Sequence, residues 1–459
     1  MNRVAPRFVA AVAIVLSVAT TAPASAGHPD RSRGALPRSP GLRDVRLEAR
    51  RGAGRTPSVG FPKTTGALAP VSEGGFQATT GSAAIAPSDT TGAAGVGQVL
   101  TAVNIEYALW DKAVATAPPG VAAPVIGGTL ESLFPDLPGG TFVYDPRVVY
   151  DPYRARFVLV FLAGHGPPFG PGFRKSWILA VSMPEATAAD PNTWCRRRLG
   201  GDQVKKDGQQ FADYPGVGLD RKRIYISTNQ FGFTGAEDFA YAQVLAITKS
   251  SLYKCGKRVR PEVFAGEDTR DPKGGPAFTI QPAITETDTG ANPPEFLVSF
   301  QDRSCGVACG NRLTVWRIVK KRRKGLTIAA DEIRVGRSLF PPLGTQKDGS
   351  PSCSVIEHCW DPGDLRFPAA FYDADRGRLY TAHTVRRDIG PGDGYLEAAI
   401  DWFEIDPSPI TRAKVTRRGT LGDAGRDSGW PAMATDGAGN LFVTYSRAGA
   451  PLPGEYISM

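Results

Sequence analysis

After its first residues this chain has no long apolar run. Phe8 to Val18 is the nearest approach, and it falls short of the roughly 20 residues a bilayer-spanning helix needs. No transmembrane segment is expected. Segments with a sustained 3.6-residue apolar period are also missing, as is any strand–helix–strand alternation, which excludes helical bundles and parallel α/β folds. Histidine and methionine occur four times each. No Ser-His-Asp arrangement is signalled, and Gly164-His165-Gly166 reads as a loop rather than a nucleophile elbow. The six cysteines, Cys195, Cys255, Cys305, Cys309, Cys353 and Cys359, lack the C-x2-C spacing of zinc modules. A zinc site from Cys305, Cys309, His358 and Cys359 is a minor alternative to oxidation. A strong charge imbalance is missing from most of the chain too. The formal charge of +9 falls to +1 over residues 64–459. Nucleic-acid binding is therefore not expected of the body.

The N-terminal end carries most of what charge bias there is. Arg3 and Arg7 precede the apolar stretch, and Ala24-Ser25-Ala26 fits a small-residue cleavage step. This pattern predicts a signal peptide over residues 1–26, cleavage after Ala26 and a secreted chain. Residues 27–63 carry +6 and are rich in Arg, Pro and Gly without apolar period. They read as a disordered basic arm, a solvated spacer or a contact to a cell wall or another anionic surface. An even cysteine count in an exported chain predicts disulfides. Fifteen pairings are open; spacing favours local staples Cys305–Cys309 and Cys353–Cys359, with Cys195–Cys255 as a longer clasp.

The body, residues 64–459, is repetitive. "YDPRVVYDPYRARFVLVF" (Tyr144–Phe161) holds Pro146, Asp151 five residues later, and then an apolar run from Phe157. The same order recurs from Pro215 through Asp220 to Ile224, from Pro368 through Asp373 to Leu379, and from Pro431 through Asp436 to Leu441. A looser copy runs from Pro282 through Asp288 to Phe296, and a degenerate one begins near Pro87. Pro146, Pro215, Pro282, Pro368 and Pro431 are successively 69, 67, 86 and 63 residues apart. Proline lacks a ladder N–H and suits the first residue of a strand. Asp with Gly or Arg makes the turn, and the aromatic and β-branched run makes a buried second strand. Further runs such as Ser176–Met183 and Tyr241–Tyr253 complete four strands per unit. The fold class is all-β: a β-propeller of about six four-stranded blades. A seventh blade would need a repeat hidden between Cys309 and Trp360; an insertion carrying Cys353 and Cys359 explains the stretched spacing instead. The chain stops where its last blade would begin a third strand, and "GGFQATTG" (Gly74–Gly81) is a candidate to complete that blade.

These Pro…Asp…Arg-aromatic hairpins resemble the blades of secreted bacterial six-bladed propellers of the sialidase-like type. The resemblance covers Pro87 to the C-terminus as a blade pattern. It implies a secreted propeller among glycoside hydrolases and glycan binders. The Asp boxes (S-x-D-x-G-x-T-W) and the Arg-Ile-Pro motif of sialidases are absent, with "LRFP" (Leu365–Pro368) a faint echo. No catalytic residue transfers.

Blade geometry predicts where a site would sit. Loops leading into the innermost strands meet the ends of the second strands on one face, around the channel mouth. The first set supplies Asp145, Arg147, Asp213, Tyr214, Gln281, Asp364, Arg366 and Trp430. The second supplies His165, Asn229, Asp302 and His383. The expected function is an extracellular module binding a glycan or peptide at that mouth. The alternative is a polysaccharide-active glycoside hydrolase or lyase, for which carboxylates from different blades would face one another. Arg147 and Arg366 suit a ligand carboxylate, and Tyr214 and Trp430 suit a sugar ring. No cofactor is expected. "DADRG" (Asp373–Gly377) hints at structural calcium but reads as a turn.

Overall fold

The second strand of each repeat is an unbroken apolar run because both of its faces are covered. In Arg156–His165, Phe157, Leu159 and Phe161 pack into one hydrophobic cluster while Val158, Val160 and Leu162 pack into another. Alternate residues of a strand point to opposite faces, so such a strand must lie inside a stack of sheets. The computed structural model bears this out over residues 89–113, 123–166, 175–204, 210–233, 239–287, 290, 294–301, 309–321, 325–345, 359–389, 396–409, 412–449 and 455–458, the residues it describes. All belong to the unit Gly75–Met459. The expected signal peptide, the basic arm and the proposed closing segment Gly74–Gly81 lie outside them.

Four-stranded antiparallel sheets in a ring form a β-propeller. Blades one to five span residues 91–129, 141–200, 210–265, 281–339 and 369–421. In each, the strands follow one another outward in chain order. A sixth sheet, residues 427–458, has three strands among the described residues, and Glu455–Ser458 is its third. Among the described residues there are therefore five four-stranded blades and a smaller sixth, against the six four-stranded blades expected. Between blades four and five lies only a two-stranded pair, Gly344–Thr345 with Cys359–Trp360, among the described residues. No seventh blade lies there among the described residues; Cys353 of the expected insertion falls outside them. The expected propeller is present; nothing in the sheets identifies the sialidase-like type.

Neighbouring blades are joined by apolar layers. Leu100 and Leu109 meet Phe157 and Phe161; Val158 and Val160 meet Ile224 and Leu245; Tyr225 and Val244 meet Leu297 and Trp316. Phe296 and Val315 meet Leu379 and Phe403, and Phe371 and Ile400 meet Met433. Each fully buried aromatic or aliphatic side chain contributes roughly 1.5–3 kcal/mol.

The repeated proline does not open its strand in three of the copies, as the sequence had suggested. Pro146 lies inside Thr141–Asp151, Pro215 inside Gln210–Leu219 and Pro431 inside Asp427–Thr435. In each case the ladder to the second strand skips two residues: Asp145-Pro146, Tyr214-Pro215 and Trp430-Pro431. The residue before proline has φ of 51°, 49° and 52° respectively. This is a β-bulge, where a residue without an N–H is tolerated because the ladder is already interrupted. The bulge turns one side chain per blade out of the sheet.

At the other end of these strands the repeated aspartates close the turns. Asp151 accepts from Tyr153 N–H, Lys249 Nζ and Tyr253 Oη, Asp220 from Arg223 N–H and Tyr225 Oη, and Asp373 from Arg376. The "DADRG" segment is thus a turn whose first carboxylate pairs with Arg376. Parallel bridges Leu219–Ile284 and Ile284–Phe371 lock blades three, four and five together at this end.

Candidate functional site

Left-handed backbone positions bring side chains of neighbouring blades together where the mouth was expected. Asp145 and Tyr214 hold equivalent left-handed positions in blades two and three, and Asp89, just before the first strand of blade one, has φ of 44°. A bulky residue such as Tyr214 in this region is strained and persists only where its surroundings hold it. Here the Tyr214 N–H donates to Asp145 Oδ2 of the preceding blade at 3.1 Å. Blade four repeats the device with another group: Asn229 Oδ1 accepts from Thr279 N–H (2.8 Å) and its Nδ2 donates to Thr279 Oγ1 (2.7 Å), holding Thr279 at φ 52°.

Charge is concentrated where the bulges converge. The Tyr214 ring lies under two guanidinium groups, Arg366 at 4.0 Å and Arg147 at 5.1 Å from its centroid. Arg366 also pairs with Asp364 at 2.6 Å, and Asp364 Oδ1 accepts the Arg366 N–H at 2.7 Å. Burial works to lower the Arg366 guanidinium, but Asp364, Tyr214 and Asp213 outweigh it and leave it raised. The carboxyls of Asp89 and Asp213 are pushed up from 3.8 to about 7. Burial is the main cause for both, and the Asp145 charge adds to it. Arg147 and Arg366 oppose both shifts. Asp145 is raised by burial as well, held back by Arg147, the Tyr214 N–H and Arg366. All three aspartates keep partial exposure to solvent. Asp89, Asp145 and Asp213, drawn from three successive blades, are thus a set of interacting carboxyls all held above the ordinary carboxylate range.

The structure brings together Asp145, Arg147, Asp213, Tyr214, Asp364 and Arg366 of the sequence candidates. Trp430 sits at the rim: its Nε1 donates to the Asp361 carbonyl at 2.8 Å, and the burial-raised Asp361 carboxyl feels Asp364 and Arg366. The others fall elsewhere. Asn229 is fully buried and serves as the clamp on Thr279. Gln281 is buried and donates to the Pro282 carbonyl. His383 is 0% exposed, packed on Phe300 and Phe367 with Nδ1 2.9 Å from the Leu365 carbonyl oxygen. Burial depresses it to about 4, so it is a neutral core residue and no acid–base group of the mouth. His165 ends its strand opposite Thr141 and Lys175, and among the described residues no hydrogen bond or ion pair ties it to the cluster. Asp302 lies outside the described residues. Asp89 was missed. It stands in "SDTTG", ahead of the first strand of blade one and followed by threonine, so no adjacent proline flags it as Pro146 flags Asp145.

Cys195 and Cys255 form the expected clasp. Cys359 is also disulfide-bonded, which removes it as a zinc ligand. The pairings proposed for Cys305 and Cys353 fall on residues outside those described. Among the described residues no three His, Cys, Asp or Glu side chains converge as metal ligands. A surface cavity of about 280 Å³, lined by Glu267, Arg270, Trp316 and Ile328 among others, lies away from the mouth.

No protein-family model and no curated protein matches the sequence. Among solved structures the chain is similar to a GH43 beta-1,3-galactosidase bound to galactodeoxynojirimycin, at 11% identity and TM-score 0.34, covering 72% of this chain and 94% of that one. It is also similar to an alpha-L-arabinofuranosidase from Lactobacillus brevis (11%, TM-score 0.30, 80% and 95% covered). A third is the WD40 domain of SCAP from fission yeast (6%, TM-score 0.27, 72% and 74% covered). At such identities no residue role passes from these proteins to this chain.

Proposed function

We propose that the channel mouth is a general acid–base site that hydrolyses a glycosidic bond in a polysaccharide outside the cell. The row Asp89, Asp145, Asp213 is the observation that supports this reading most. Two interacting carboxyls at about 7 mean that, near neutral pH, the row holds a proton and a negative charge at once. Glycoside hydrolysis needs that combination. The protonated carboxyl delivers its proton to the leaving oxygen as the C–O bond breaks, and the carboxylate takes a proton from the attacking water. Asp145, pinned by the Tyr214 N–H, is the fixed electrostatic member that acts on both. Arg147 and Arg366 keep the row from being wholly protonated, and Trp430 supplies an aromatic at the rim. Export is supported by the Ala24-Ser25-Ala26 step and by the oxidised Cys195–Cys255 pair.

Reducing-sugar release from a panel of polysaccharides tests the reading. Asp89→Asn and Asp213→Asn should each lower the rate by about 10²–10⁴-fold while leaving the fold intact. Glycan binding without hydrolysis is the second reading, favoured by the mutually paired Arg366–Asp364–Tyr214 half of the mouth. It predicts array binding that Trp430→Ala abolishes and Asp213→Asn preserves, with no sugar released. Neither release nor mouth-dependent binding on any polymer would remove both.

A further inference from the structure

The body of the chain is nearly neutral, yet one edge of it is not. "CRRR" (Cys195–Arg198) opens the outer strand of blade two, and "KCGKRVR" (Lys254–Arg260) precedes the outer strand of blade three. Together they carry seven cations and no acid. The Cys195–Cys255 disulfide clamps the two segments together, and Arg197 donates to the carbonyls of Ser251 and Lys254. The second segment is further fixed by the turn at Lys254–Lys257, with Gly256 at φ 75°, and by Val259, which packs into the layer between blades two and three. Arg198 is neutralised by Asp136 at 2.6 Å. Lys254, Lys257, Arg258 and Arg260 are exposed, as is Arg154 on the adjoining turn of blade two, and none of them has an acidic partner among the described residues. Like charges held this close repel one another, a cost that a bound polyanion would relieve.

The edge lies at the turn end of the blades. Cys195 pairs with Ser182 near the end of its strand that adjoins the Asp151 turn, and Tyr253 donates to Asp151 itself. The mouth residues Asp145 and Tyr214 sit toward the other end of the same innermost strands.

We propose that this clamped basic edge is a binding surface for a linear anionic glycan, one bearing sulfate or carboxylate groups, on the side of the propeller away from the mouth. Its nearby aromatics, Trp194 and Trp177, are covered by Arg196 and Arg198 and offer no stacking platform for nucleic-acid bases. No large apolar side chain is exposed among these cations to enter a lipid surface. What remains is a rigid set of point charges matched to a charged chain.

The test uses the full mature protein and two probes, dextran sulfate and polygalacturonate, in titrations across a salt series. Lys254→Glu/Lys257→Glu/Arg258→Glu should weaken binding at least tenfold at low salt and flatten its salt dependence. Lys257→Gln/Arg258→Gln, a milder change, should weaken it in the same direction. Lys414→Gln, an exposed cation on the outer strand of blade five, should leave it unchanged, which ties the binding to this edge. The proposal fails if both patch variants bind like the parent chain, as they would if the basic arm were responsible. It also fails if a DNA duplex or anionic phospholipid vesicles compete for the same residues more tightly than either glycan.

Discussion

At the scale of single residues, the mouth carries a signature that stability measurements can read. Asp213 is raised from 3.8 to about 7, so between those pH values the folded chain keeps a proton the unfolded chain has lost. Stability associated with this group is present at low pH and falls as pH climbs from about 4 to 7. Asp213→Asn removes the charge that is poorly accommodated. It should raise stability by about 1–2 kcal/mol at pH 8 and by nothing measurable at pH 4, once partial exposure is allowed for. Thermal unfolding at the two pH values checks this; equal effects at both would mean that Asp213 is an ordinary ionised carboxylate. A group whose removal improves stability is held for another purpose, and on the proposed reading that purpose is acid–base chemistry. Asp213 and Asp145 were legible in the sequence as polar residues beside a strand proline. Asp89 was not, because it stands before the first strand of blade one, outside any ladder whose interruption a proline could mark.

At the scale of elements, the recurring unit is a bulged innermost strand with a buried turn at its far end. Lys249 sits in a one-turn helix, Lys249–Leu252, and its Nζ meets Asp151 Oδ1 at 2.7 Å with both side chains almost wholly buried. Tyr153 covers the ammonium at 4.6 Å, and Tyr253 Oη binds the other carboxylate oxygen at 2.7 Å. Lys249→Met would strand a buried carboxylate and should cost about 3–5 kcal/mol. Urea unfolding measures it, and a loss under 1 kcal/mol would show that solvent reaches Asp151 after all. The strands themselves were legible from alternation and β-branched content. The bulges were less so: proline marks a place without an N–H, but whether that place is a strand's start or its interrupted middle depends on the partner strand's register.

At the scale of the whole molecule, each blade covers its neighbour's apolar faces, and the disulfide adds a covalent link between two of them. Cys195 and Cys255 are 60 residues apart and join the outer strand of blade two to blade three. Closing a loop of that length limits the unfolded chain and stabilises by about 2–4 kcal/mol. Cys195→Ser/Cys255→Ser should lower the unfolding free energy by that amount. Its propeller should persist, since Leu199, Ile224 and Leu252 still form the layer between the two blades. Circular dichroism and urea unfolding check both halves; loss of β structure in the variant would mean the clasp and not the apolar layer holds the blades.

The chain's own order of residues determined the class of fold, the number of repeats to within one, the turn aspartates and the long disulfide. All of these follow from local chemistry: alternation, turn propensity, spacing. Tertiary structure decided the rest. It sent Asn229, Gln281 and His383 into packing roles and gathered Asp89, Asp145 and Asp213 from three blades into one row. It also laid two basic segments side by side. The physical reason is common to all three. A side chain's role depends on which neighbour from another blade faces it, and that neighbour lies tens of residues away, beyond the reach of any local pattern.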